Sequence, residues 1–379
     1  MMPPLVVLQA GAFPFPLHQG SQVYVRGMSA ALVRAGHRVL VACWDGGVGT
    51  DPPGVEVRRT RRVRGAVTAS GPHWSRLPQD ADLVRVIRRI LSEVAVDVIH
   101  AHNVEAPVLA WLARLGRRVP IVYDQHTRMA EELPTYWPVR GMGLLGRVAD
   151  RVPQALCDAA IALSEDGAAT LRQRVRQTAV VPPAVEAADL RGADPDRARA
   201  RWDLGDRPWV AYAGNTDPYQ DLPVWFEAMA RLPDAGLLLI TGDDTGPWER
   251  RADALGIVPD RRRFVRTREF AETRDALSAA AIAVSPRTKC AGFPIKLLNY
   301  AGLGLPTVAA RGSAHEGLGV VAVPDHDPAA MADAIAALLA DPDRRSKGDA
   351  ARAEVLRAWT WESRVPALEA LYRSLGDAA

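Results

Sequence analysis

Residues 285–310, SPRTKCAGFPIKLLNYAGLGLPTVAA, admit few folds. They read as the end of a buried strand, a loop holding Gly292 and Pro294, an apolar helical run over 295–303, a stop at Gly304 and a second strand over 306–310. Such a βαβ step aims the helix N-terminus out of the loop. Unpaired amides and roughly half a positive charge gather at a helix start, so the loop 291–295 is an anion seat, to which Lys296 adds a full charge. The guest that fits such a seat is a phosphate or diphosphate.

Other strand-first units surround this one. A chain of 379 residues exceeds what one hydrophobic core usually supports, so two domains are expected. Residues 5–9 read as a strand, GAFPFPLHQGSQ as a loop, 23–35 as a helix and 38–43 as the next strand, the opening of a doubly wound α/β domain. Ligands of such sheets gather at the carboxyl ends of the strands. Strands ending in His100-Ala101-His102 and in Asp124-Gln125-His126 deliver imidazoles there. Alternation is expected to send one of His100 and His102 into the sheet packing, with His102 the better acceptor-side candidate. Residues 129–137, with Glu131 and Glu132, read as an acceptor-side loop and helix or as plain solvated surface. Ser164 has the pattern of an N-cap, and the polar stretch 186–207 that of a linker with a surface helix. A second strand-first unit starts at 209–213, followed by the loop Gly214 to Asp221.

Several classes are excluded. No G-x-G-x-x-G follows the first strand, which argues against a dinucleotide-dependent dehydrogenase. A formal net charge of +3 offers no field for nucleic acid. The Arg run at Arg58, Arg59, Arg61, Arg62 and Arg64 could meet an anionic acceptor such as a lipid phosphate or a bilayer face, or be only a solvated loop. Cys43, Cys157 and Cys290 are too few for a disulfide framework or a metal cluster, which points to a reducing cytoplasm, with peripheral contact to the inner face of the membrane left open. The start of the chain reads as a strand and not a signal peptide, and no apolar run approaches the roughly 20 residues that cross a bilayer.

The 285–310 motif resembles the signature of GT-B fold glycosyltransferases of the family-4 type, also called glycosyl transferases group 1. It departs at two positions: the family's paired Glu fall on Ala291 and Asn299, which marks a variant subgroup. The resemblance implies an α/β GT-B architecture of two Rossmann-like domains facing a cleft. It divides the chain into an acceptor-side domain over 1–183, closed by Pro182-Pro183, a nucleotide-sugar domain over 184–357, and a closing helix over 358–379 that returns to the first domain. It also implies a retaining hexosyl transfer from a nucleoside-diphosphate sugar to a hydroxyl acceptor, with no cofactor and no metal. Asp243-Asp244 then matches the family's Gly-Asp-Gly loop and is not expected to hold a metal.

Carried over residue by residue, the resemblance gives His126 a catalytic role beside the reacting sugar. It gives donor contacts to Gly20 and Ser21 of the first loop, and to Asn215, Arg287, Gly292, Phe293, Pro294, Ile295, Lys296 and Asn299. Where the family has Arg and Lys gripping the diphosphate, this chain has Asn215 and Gln220. Amides donate hydrogen bonds but bring no net charge, so Lys296 first and Arg287 second are expected to meet the diphosphate. The same substitutions motivate a competing expectation, a catalytically weak nucleotide-sugar-binding relative that partners another transferase. A nucleotide-sugar epimerase is disfavoured, since its carboxylate and His pattern is not evident. Sugar, base, acceptor and oligomeric state are not encoded in any motif read here.

Overall fold

The computed structural model describes residues 3–17, 20–62, 76–137, 139–288, 294–315 and 318–376. The chain forms two compact units: Met1–Ala184 with Trp361–Ala379, and Val185–Cys290 with Pro294–Thr360.

The first unit runs β1 (Val6–Pro14), α1 (Gly20–Arg34), β2 (Arg38–Trp44), β3 (Val55–Arg59), α2 (Leu77–Glu93), β4 (Val98–His102), α3 (Glu105–Ala113), β5 (Ile121–Gln125), α4 (Met129–Tyr136), α5 (Met142–Leu156), β6 (Ala159–Ala162), α6 (Glu165–Arg172) and β7 (Thr178–Val180). Its strands pair in parallel in the order β3-β2-β1-β4-β5-β6-β7. Successive residues of β1 serve opposite faces: Val7 packs with Met28 and Leu32 of α1, and Leu8 packs with Leu83 and Ile87 of α2. A sheet covered on both faces needs near-continuous apolar strands, and VVLQA and RVLVACW meet that need. Ser164 caps α6 as expected, its hydroxyl accepting from the Gly167 amide.

The second unit runs α7 (Pro195–Arg201), β8 (Trp209–Ala213), α8 (Leu222–Ala230), β9 (Gly236–Thr241), α9 (Gly246–Ala254), β10 (Arg262–Arg266), α10 (Phe270–Ser278), β11 (Ile282–Ser285), α11 (Ile295–Gly302), β12 (Thr307–Ala310), β13 (Val320–Val323), α12 (Pro328–Ala340) and α13 (Arg344–Ala358). Its sheet is also parallel, in the order β10-β9-β8-β11-β12-β13. Trp225, Phe226 and Met229 of α8 fill the core against Val210, Leu237 and Leu239. In both sheets the strand order reverses beside the first strand, between β1 and β4 and between β8 and β11. Those reversals are where open α/β sheets take their ligands.

α14 (Trp361–Gly376) belongs to the first unit. Its Trp361, Leu368 and Tyr372 are buried in the same cluster as Val7, Tyr24 and Met28. The approach to α1 is close enough that a Cβ on Gly27 would lie 2.0 Å from Trp361 Nε1. Gly27→Ala is therefore expected to destabilise the protein by about 1–3 kcal/mol, the usual cost of overpacking. Denaturant titration checks this, and an unchanged midpoint would mean that α14 can move away from α1 without loss.

Several boundaries differ from expectation. β1 extends to Pro14, well past residue 9, because Gly11 and Pro14 still pair with β4 and β2. α1 starts at Gly20 rather than residue 23. Among the described residues no helix is long and apolar enough to cross a membrane. The Arg run is partly committed: Arg59 pairs with Asp51 and donates to the Phe15 carbonyl, and Arg58 lies 3.7 Å from Glu56. Arg64 lies outside the described residues.

Candidate functional site

In the first unit, β1, β4 and β5 bring polar side chains to the carboxyl edge of the sheet. Pairing sets His102 opposite Gly11 on one side and Asp124 on the other. His100, His102 and Asp124 are completely buried, and His126 nearly so. The expectation that alternation separates His100 from His102 fails, since residues two apart on a strand share a face; their rings stack with centroids 4.6 Å apart.

The hydrogen bonds form one network. His100 Nε2 lies 2.9 Å from Asp124 Oδ2, and its Nδ1 lies 2.6 Å from the Tyr372 hydroxyl. His102 Nε2 lies 2.5 Å from Gln9 Oε1 and its Nδ1 3.2 Å from His126 Nε2. His126 Nδ1 lies 3.0 Å from Ser21 Oγ. A carboxylate only accepts, so His100 donates from Nε2 and accepts from Tyr372. Gln9 Oε1 accepts from the His102 Nε2–H, which leaves His102 Nδ1 as acceptor for the His126 Nε2–H. His126 Nδ1 then accepts from Ser21. These tautomers are assigned from the network.

Electrostatics agree with that assignment. Burial, reinforced by neighbouring His100, pushes His102 down to about 3, so it is neutral near pH 7. Burial opposes ionisation of Asp124, but neighbouring His126 and the hydrogen bond from His100 outweigh it and hold the carboxyl well below the usual carboxylate range. Asp124 Oδ2 is 3.6 Å from His126 Nε2. Tyr24, T-shaped on Trp361 at 4.7 Å, rests against the His126 ring at 4.6 Å. The donor atoms of His100, His102 and Asp124 fall within 4.8 Å of one another, the spacing of a metal trio, but each already bonds a protein neighbour. Gly20 is exposed at the start of α1. Glu131 pairs with Arg128 at 2.5 Å, and Glu132 accepts from Thr127 at 2.6 Å.

In the second unit, Lys296 occupies the first turn of α11, beside the reversal of strand order. The helix begins at Pro294 and Ile295 without a side-chain cap. Lys296 Nζ donates to the Tyr212 hydroxyl at 2.8 Å and to Gln220 Oε1 at 2.9 Å, and lies 4.1 Å from the Tyr212 ring centroid. Gln220 Nε2 donates to Asn215 Oδ1 at 2.7 Å, and Asn215 Nδ2 donates to Asp217 at 2.6 Å and to Tyr219 at 2.8 Å. Arg287 stacks over Tyr219, its guanidinium carbon 4.8 Å from the ring centroid.

The ammonium therefore stands within one hydrogen bond of position 220, where the sequence offered only an amide. Gly214, at φ 145°, keeps the space open: a Cβ there would come 3.2 Å from both Lys296 Nζ and the Tyr212 hydroxyl. Asp243 accepts from the Thr216 amide at 2.8 Å and hydroxyl at 3.2 Å, pinning the loop after β8. Asn299 is half-buried one turn into α11. Gly292 and Phe293 lie outside the described residues.

Asp124 and Tyr212 were not singled out as site residues in the sequence. Asp124 had a signal, since it stands two residues before His126 and so shares its face. Tyr212 had none, because its link to Lys296 spans 84 residues.

The family profile "Glycosyltransferase Family 4" matches residues 18–189, and "Glycosyl transferases group 1" matches residues 207–341. A D-inositol 3-phosphate glycosyltransferase of Xylanimonas cellulosilytica is 26% identical over 381 residues, covering 93% of this chain and 91% of that protein. One of Geodermatophilus obscurus is 28% identical over 397 residues, covering 94% and 85%. Among solved structures, sucrose-phosphate synthase from Thermosynechococcus elongatus superposes with a TM-score of 0.80 at 22% identity, covering 99% of this chain and all of that one. Anabaena HepE in complex with UDP-glucose superposes with a TM-score of 0.73 at 17% identity, covering 99% of each.

Proposed function

The chain belongs to the GT-B fold glycosyltransferases of family 4 and group 1, and we propose that it moves a hexose from a nucleoside-diphosphate sugar to a hydroxyl acceptor with retention at the anomeric carbon. The observation that carries the donor assignment is Lys296, a cation fixed by Tyr212 and Gln220 at the strand-order reversal of the second sheet. It answers the deficit left by the neutral Asn215 and Gln220. HepE, solved with UDP-glucose bound, and the activity for which the D-inositol 3-phosphate glycosyltransferases are named support the same class of donor and reaction.

In this reading Lys296, the amides at the start of α11 and Arg287 stabilise the diphosphate as the glycosidic bond breaks. Preorganised charge of that kind commonly supplies more of an enzyme's rate enhancement than any other single effect. His126 hydrogen-bonds the donor sugar, its Nδ1 switching from Ser21 to substrate. No carboxylate pair is required. The test incubates purified protein with a panel of nucleoside-diphosphate sugars and hydroxyl acceptors, reading nucleoside diphosphate release and anomeric configuration. Release with a retained anomer is expected. An inverted anomer would remove the retaining mechanism, and no turnover of any nucleotide sugar would remove the donor class.

A further inference from the structure

α5 is built inside out. The face it turns into the first unit carries Gly146, Asp150, Pro153 and Gln154. Gly146 lies so near α4 that a Cβ would come 2.3 Å from the Met129 carbonyl oxygen. Asp150 is spent on the start of α4, accepting from the amides of Met129 at 2.9 Å and Ala130 at 3.1 Å. The apolar residues face outward: Leu144, Leu145, Val148 and Val152 are 65%, 50%, 49% and 44% exposed. Helical spacing puts these four on one stripe, with Arg147 and Arg151 along its edge. Just before the helix, Trp137, Val139 and Arg140 are exposed as well. Between residues 137 and 157 the only acidic side chain is the buried Asp150.

We propose that this face of α5, with the turn before it, seats the protein on an anionic bilayer surface. Such docking goes beyond the reaction assigned above and does not depend on it. Exposed leucine and valine flanked by arginine and an interfacial tryptophan are what a helix lying in the headgroup plane presents. The charge selects the occupant. In a two-fold pairing with a second copy the patch would face itself, setting arginines against arginines with no exposed acid in residues 137–157 of either copy to meet them. Lipid phosphates supply that missing charge.

Sedimentation of the full chain with phosphatidylglycerol vesicles and with phosphatidylcholine vesicles tests it. Partitioning to the anionic vesicles is expected to be at least about tenfold stronger and to weaken as salt is raised. The double variant Leu144→Glu, Val148→Glu should lose vesicle binding while keeping the parent melting temperature and turnover. The triple variant Arg140→Gln, Arg147→Gln, Arg151→Gln should lose the preference for anionic lipid, and it keeps the test open if the double variant fails to fold. Absent or equal binding to both vesicle types overturns the proposal. So does undiminished binding of the variants, or a loss seen only with Arg61→Gln, Arg62→Gln, which would move the contact to the loop after β3. A light-scattering dimer that becomes monomeric in the double variant, without vesicle binding by the parent, would assign the face to a second copy instead.

Discussion

His126→Ala is expected to lower turnover by about a hundredfold or more, within the usual range for loss of a positioned acid–base or hydrogen-bonding imidazole, while nucleoside diphosphate affinity stays within about twofold. The atom responsible is His126 Nδ1. That nitrogen faces Ser21, whereas Nε2 is committed to His102, with Asp124 3.6 Å behind it. Nδ1 is thus the ring atom able to exchange its partner for a substrate hydroxyl. Truncation removes it without disturbing the second unit, where the diphosphate is assigned. Turnover measured at saturating donor, together with a calorimetric titration of nucleoside diphosphate, separates the two effects. A tenfold or larger loss of nucleotide affinity would move His126 from the sugar to the diphosphate.

Lys296→Ala is expected to weaken nucleoside diphosphate binding by about tenfold to a hundredfold, the worth of a charge-assisted hydrogen bond of roughly 1.5–3 kcal/mol. Arg287→Ala should cost less. The guanidinium stacks on Tyr219, whereas the Lys296 ammonium is held by two oxygens and is carried on the first turn of α11. Removing Lys296 also leaves the buried Gln220 Oε1 without this donor, so the melting temperature must be recorded beside affinity. Equal or reversed losses for the two variants in the same titration would refute the ranking.

The alternating strands and short helices of the fold could be read from pattern alone. β8 falls at the apolar run 209–213, and β12 lies within the strand indicated over 306–310 behind Gly304 and Pro306. α5 and α13 escaped. α13, RRSKGDAARAEVLRA, is polar on most of its surface and carries little helical periodicity. α5 contains Gly143, Gly146 and Pro153, residues that break the pattern of a helix, and its apolar stripe faces solvent rather than core. At the site, the roles of Lys296 and His126 rested on motif position, and the structure adds the neighbours each one bonds. Those neighbours were out of reach for a physical reason. Tyr372 meets His100 across 272 residues and Tyr212 meets Lys296 across 84, and no local periodicity encodes such pairs.

The placement of α14 has a consequence for synthesis. The core that holds Val7, Tyr24, Met28 and Val122 is completed by Trp361, Leu368 and Tyr372. Residues 1–184 therefore leave the ribosome with one apolar face bare. They wait for the next 176 residues before the helix that covers it is made, roughly 10 to 35 seconds at ordinary rates of elongation. Through that interval the second unit can fold beside an unfinished first one, although its residues come later in the chain. The histidine network, tied to Tyr372, is then among the last parts of the molecule to close.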